Sequence, residues 1–324
     1  MRSNNKLIYI LTFLPIIIVV WLIFPENSYA WGPGLHIKLG LDIIDSVHKI
    51  APALSEIIAK YPYHYLYGGI SPDIIIGKKF ASEIDHCHNW EVGLGILKES
   101  ESESERAFAY GYLCHLAADS VAHNYFIPNQ IIASFVARTL DHTYWEMRYD
   151  GLLGDEIWEV FKKIPRDVRR ECNKRLKRIL TTTIFSFGTN RSIFTGLMHI
   201  NRITTWQEMI RTVSGKSQWI LTKKDVKNYY KLAFNSQSDL LLNREAALCM
   251  HADPNGKDSL KVAKKIRKDL RVLYKRGALA DRDVKKILED LKPHFIKKMT
   301  TRDKVNHTIK VGGRRKSDWE KVIS

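Results

Sequence analysis

Apolar residues recur at helical spacing along most of this chain, and the alternation that marks a strand is nearly absent. Leu39, Ile43, Ile44 and Val47 share one face of the segment 35–50, and Pro52 opens a second short helix through Lys60. The spacing predicts further helices over 107–126, 131–149, 156–180 and 223–250, with Pro128 and Gly151 as stops. Residues 61–80, with Pro62, Gly68, Gly69, Pro72 and Gly77, read as turns. The alternating Glu/Ser run 99–105 reads as a solvated loop or a helix start. No repeat period is evident, and the fold class that follows is all-α.

The 324 residues hold 51 Lys and Arg against 35 Asp and Glu, a formal net charge of +16 that by itself suggests a nucleic-acid binder. Its distribution removes that inference. Residues 251–324 carry 22 basic and 10 acidic side chains, whereas 31–250 carry 27 and 24, so the body is nearly neutral. A composition shift at Asp253, Pro254, Asn255 and Gly256 reads as a boundary. Two basic amphipathic helices are expected beyond it, over 259–275 and 280–299, then a tail with Gly312, Gly313, Arg314 and Arg315. A hydrophobic content of 45% excludes a disordered or collagen-like chain.

Residues 1–30 have the layout of a signal peptide: Arg2 and Lys6, an uncharged apolar run over 7–24, then Ser28, Tyr29 and Ala30 at the cleavage positions. Cleavage would make Trp31 the first residue of the mature chain; without it, the same run would anchor the protein in a membrane. Either route places the remainder outside the cytoplasm, secreted or periplasmic. The expected organisation is a signal peptide (1–30), a helical domain (31–252) and a basic helical C-terminal region (253–324). Cys87, Cys114, Cys172 and Cys249 are too few for a disulfide-built scaffold. A Cys87–Cys114 pair is one expectation, if the histidines beside them share a metal; four buried thiols are the other.

Chemistry concentrates between Trp31 and Glu146. In the run HLAADSVAH, His115, Asp119 and His123 stand at i, i+4 and i+8, one stripe of a helix rising about 5.4 Å per turn. His142 and Glu146 repeat the four-residue spacing. Burying five such side chains without a cation would strand charge, so the pattern points to metal. His48, His64, His199, His294 and His307 stand alone and read as structural residues, and His251 as a helix end.

The start WGPGLH at Trp31, the SPD at Asp73, HCHNW at His86 to Trp90, HLAADSVAH and HTYWE resemble, in that order, the zinc-dependent phospholipase C family, whose fold is shared by single-strand nucleases. The resemblance covers about residues 31–151 and implies a multi-helix bundle holding up to three zinc ions. It implies Asp73, His86, His115 and Asp119 on one zinc. Asp119 would bridge to a second, held by the amino nitrogen and carbonyl of Trp31 with His36, and His123, His142 and Glu146 would hold a third. His86 and His88 compete for one position, the residues after His86 following the family run more closely. The family has five residues between the bridging Asp and the next His; here three separate Asp119 from His123, so the third site is expected to differ in position or affinity.

Imidazole and carboxylate suit zinc, and three or four protein ligands leave a position for water. The activity implied is phosphodiester hydrolysis by activated water, with Asp73 as its general base. Phospholipid is the expected substrate, with an anionic membrane surface as partner for the basic C-terminal region. A single-strand nuclease-type phosphodiesterase is the alternative on the same site. A non-catalytic envelope protein braced by zinc is the third reading. No specific nucleic-acid partner is favoured.

Overall fold

The computed structural model describes residues 31–75, 87–137, 142–179, 185–203, 221–278 and 286–291, with Trp206, Glu208, Ile210, Thr212, Asp283 and Pro293 as single positions. The signal segment, His86 and the tail with Gly312 to Arg315 lie outside the described residues, as do 294–299. Among the described residues every regular element is helical. In chain order they are α1 (Pro33–Ile50), α2 (Pro52–Lys60), α3 (Pro62–Gly68), α4 (Trp90–Lys98), α5 (Glu103–Val121) and α6 (Ile127–Ala133). There follow α7 (His142–Asp150), α8 (Glu156–Lys163), α9 (Arg166–Ile179), α10 (Phe187–Asn201), α11 (Lys223–Asn243) and α12 (Lys257–Lys275). The all-α expectation is met.

Helix α5 is the axis. It starts on a capping box in which Ser102 and Glu105 exchange side-chain and backbone hydrogen bonds, so the Glu/Ser run is a helix start. Ala107 through Val121 is buried without interruption, the signature of a helix surrounded on all sides. Helices α3, α4 and α11 pack around it.

Several boundaries differ from the sequence expectation. Residues 62–68 are helical, followed by a 3₁₀ turn, Ser71–Ile74. Pro residues there occupy first-turn positions, where a missing N–H is tolerated. Pro128 does not stop the helix for the same reason: a π-turn, Ala122–Phe126, leads into α6, and Pro128 stands at its start. The helix expected over 131–149 is two, with α6 ending at Ala133 and α7 starting at His142. That over 156–180 is broken at Pro165. Helix α10, capped by the Ser186 hydroxyl, was not anticipated.

Two hydrophobic cores result. The first joins α1–α5 with α8–α10, with Ile58, Ile74, Tyr112 and Trp158 among its buried members. The second gathers Trp31, Leu35 and Leu39 with Phe126 and Tyr149, and closes on Ala263, Ile266 and Leu270 of α12. Ile287 and Leu291, from the second expected C-terminal helix, also belong to it. All four cysteines are buried free thiols, so the Cys87–Cys114 pair is not formed. Among the described residues no helix is long and apolar enough to cross a membrane.

Candidate metal centre

Three elements converge on the middle of α5: the first turn of α1, the 3₁₀ turn carrying Asp73, and the segment just before α4. Each is fixed by backbone contacts. The Asp150 carboxylate accepts hydrogen bonds from the Gly34 and Leu35 amides, both at 3.0 Å, and thereby caps α1 from across the sequence. A Cβ at Gly32 would collide with that carboxylate, and one at Gly34 would lie 2.8 Å from the Trp158 ring. Trp31 is wholly buried, donates its indole N–H to the Ala118 carbonyl at 2.9 Å and stacks on Phe126. The WGPG start is thus a docking sequence for the helix that carries His36.

Glycines also bring α3 onto α5. A Cβ at Gly68 would collide with the Phe108 carbonyl oxygen, and one at Gly111 with that of Tyr65. This approach presents the Gly69 carbonyl to His115 Nδ1 at 2.9 Å. A carbonyl only accepts, so Nδ1 carries the proton and Nε2 keeps its lone pair. Tyr112, one turn earlier on α5, donates its hydroxyl to the Cys87 carbonyl and holds the segment carrying His88.

The result is a buried cluster of His36, Asp73, His88, His115 and Asp119. Asp119 Oδ2 lies 3.1 Å from Nε2 of both His88 and His115, while its Oδ1 lies 3.2 Å from His36 Nε2. Asp73 Oδ1 is 3.3 Å from His88 Nε2 and 3.8 Å from His115 Nε2. The two imidazoles of His88 and His115 face each other Nε2 to Nε2 at 3.0 Å, and the His36 ring stacks on that of His115 at 3.8 Å. Two overlapping groups, His36 with Asp73 and His115, and His88 with His115 and Asp119, keep their donor atoms within 4.8 Å of one another.

The contacts of His36 and Asp119 are close without being good hydrogen bonds. Neither ring nitrogen of His36 and neither carboxylate oxygen of Asp119 has a hydrogen-bond partner of sound geometry among the described residues. Such convergence is costly for a dry protein and natural for ligands aimed at a shared cation. Protonation favours the same reading. Burial lowers the His115 imidazole to about 4, with His36 adding to the effect. Burial opposes the Asp119 carboxylate, but His115 and the contacts from His36 and His88 outweigh it and hold its pKa well below the usual range. At neutral pH both are in the form that binds metal. The residues present therefore fit zinc.

Of the remaining expected residues, Trp31 stands beside α5 as described. His86 lies outside the described residues, so its competition with His88 is met here only by His88, which stands in the cluster. His123 and Glu146 are buried but belong to neither group of converging donors. Of the stripe expected for His115, Asp119 and His123, the first two stand in the cluster, and His123 lies one helical turn further on, in the π-turn that begins at Ala122. Its Nδ1 donates to the Pro254 carbonyl. The side chain of His142 lies outside the described residues. Asp150 escaped the sequence reading although a signal was present: it continues the four-residue spacing from His142 and Glu146. Burial pushes its carboxyl up to about 7, against the pull of the Gly34 and Leu35 amides.

Fold and cluster together define an all-α protein with a buried imidazole–carboxylate site of metal-binding type. Residues 35–189 match the family model of zinc-dependent phospholipase C. All five clustered residues fall within the match; Trp31 and everything beyond the first turn of α10 fall outside it. No curated protein and no solved structure matches this chain.

Proposed function

We propose that the chain is an exported zinc-dependent phosphodiester hydrolase acting on phospholipid headgroups. The observation that supports this most is the two-sided Asp119 carboxylate, one oxygen toward His36 and the other toward His88 and His115, which would let Asp119 help hold two zinc ions. His88, His115 and Asp73 would complete one site, and His36 with the amino nitrogen and carbonyl of Trp31 the other, once cleavage after Ala30 creates that amine. His123, His142 and Glu146 would hold a third ion. When bound, zinc supplies positive charge to the phosphoryl oxygens and lowers the pKa of water toward about 7. Asp73 takes the proton from the attacking water, and its buried 3₁₀ turn keeps the carboxylate in place. The Gly69 carbonyl holds His115 in its ligating tautomer.

Lipid is preferred over nucleic acid because α12, packed into the second core, presents a row of exposed lysines. Lys261, Lys265 and Lys268 share an exposed face of that helix, suited to an anionic bilayer at about 1 kcal/mol per well-placed lysine. The test is zinc content of the purified mature protein, with phosphocholine release from lecithin vesicles, with and without anionic lipid, assayed beside nucleotide release from single-stranded DNA. Bound zinc with phosphocholine release supports the proposal, and an Asp119→Asn protein should lose zinc and at least about 100-fold in rate. Nucleotide release alone would establish the nuclease reading, and bound zinc with neither activity the structural one.

A further inference from the structure

The segment Ala252 to Ser259 lies beyond the family match, where the composition shift suggested a boundary, yet it is bonded to the walls of the metal centre. Trp90 Nε1 donates to the Ala252 carbonyl at 2.9 Å and Asn124 Nδ2 to that of Asp253 at 2.8 Å. Asn255 Nδ2 donates to the His88 carbonyl at 2.8 Å, and His123 Nδ1 donates to the Pro254 carbonyl. Ser259 Oγ closes the set on Asn124 Oδ1 at 2.9 Å. Gly256 has φ of 55°, and a Cβ there would collide with the His123 backbone, so the close approach requires glycine.

The segment is itself shaped. The Asp253 carboxylate accepts from the Asn255 and Lys257 amides at 2.9 and 3.0 Å, which sets the turn and leads directly into α12. Helix α12 is anchored in the second core through Ala263, Ile266 and Leu270. A rigid body therefore holds one end of the turn, and two histidines hang on the other.

We infer that Ala252 to Ser259 is a strap that positions His88 and His123 for zinc, with Asn255 and Pro254 as its positioning residues. The inference rests on the zinc reading above. Asn255 fixes the backbone from which the His88 ring reaches Asp73, Asp119 and His115. The Pro254 carbonyl keeps the proton of His123 on Nδ1 and leaves the Nε2 lone pair for metal. The basic C-terminal region then builds part of the centre.

Asn255→Asp keeps the shape of the side chain but removes the N–H that the His88 carbonyl accepts. Zinc affinity of this variant, measured by chelator competition, should fall about 10–100-fold, with the absorption bands of the cobalt-substituted protein shifted and the melting temperature of the metal-free protein unchanged. Wild-type affinity and an unshifted cobalt spectrum would overturn the strap while leaving the zinc reading intact. A wild-type protein that binds no zinc would overturn both. A readout independent of any variant is the ring nitrogen NMR of His123 in the zinc-loaded protein: an Nδ1–H tautomer supports the strap, and an Nε2–H tautomer overturns its hold on His123.

Discussion

The two hydrophobic cores differ in how much chain each needs. The first is assembled mostly between Ile37 and Met198, close to the segment that matches the phospholipase C family. The second needs both ends: Trp31, Leu35 and Leu39 at the beginning, Ala263, Ile266 and Leu270 in α12, and Ile287 and Leu291 beyond it. The metal cluster stands where the two meet, because α1 and α5 contribute residues to both. A basic C-terminal region that looks appended by composition is therefore part of the body by burial. Net charge reports a helix's exposed face; only its apolar positions say what the other face is packed against.

The sharpest break in that comparison would come from matched truncations. Leu270 and Ile58 are both wholly buried, one in each core. Leu270→Ala and Ile58→Ala should each cost about 2–5 kcal/mol and lower one common unfolding transition. Calorimetry checks this. If Leu270→Ala moved only a small separate transition and left the main one in place, the C-terminal region would be an independent unit, and the strap would lack its anchor.

A smaller effect sharpens the role of the first core. Gly111→Ala forces a methyl against the Tyr65 carbonyl, and α3 must back away from α5. The expected cost is about 1–3 kcal/mol, together with weaker zinc binding, since the Gly69 carbonyl retreats from His115. Gly95, on α4, has nothing near its absent Cβ, and Gly95→Ala should stabilise by about 0.5–1 kcal/mol. Denaturant melts of the two variants should shift in opposite directions. Equal shifts would mean that the glycine at 111 serves flexibility and not close approach.

The fold class, the helix carrying His115 and Asp119, and the chemistry of the cluster were legible because each depends on local spacing. The i, i+4 pair needs only one regular turn. What was not legible depends on tertiary contacts. The π-turn at Ala122–Phe126 follows no composition rule, and a proline that would end an isolated helix is absorbed by the turn preceding it. The strap fails to register because Asp253, Pro254, Asn255 and Gly256 are the residues of a linker and also of a tight turn. Local sequence does not distinguish a turn in water from a turn pressed onto His123.

An effect that appears only as a difference between pH profiles tests how the two cores are joined. Asp150 lies on α7, in the wall of the second core, and its carboxylate caps α1, which runs into the first. Its folded pKa is raised to about 7 from an ordinary 3.8, with burial as the main cause. The native state then holds a proton that the unfolded chain has released, so stability from this group is full below about pH 4 and is lost as pH rises to about 7. His115 acts in the opposite sense: its pKa is lowered, so its contribution is present above about 6.5 and is lost as pH falls toward 4. The two slopes oppose each other in the wild-type protein, and only a difference isolates either. In metal-free protein, Asp150→Asn retains an acceptor for one of the two amides but cannot titrate. Between pH 4 and 7 its stability should therefore rise with pH more steeply than that of the wild type, by up to a few kcal/mol over the interval. Parallel pH profiles from chemical denaturation would show that Asp150 is ionised throughout, and that its two amide bonds outweigh its burial.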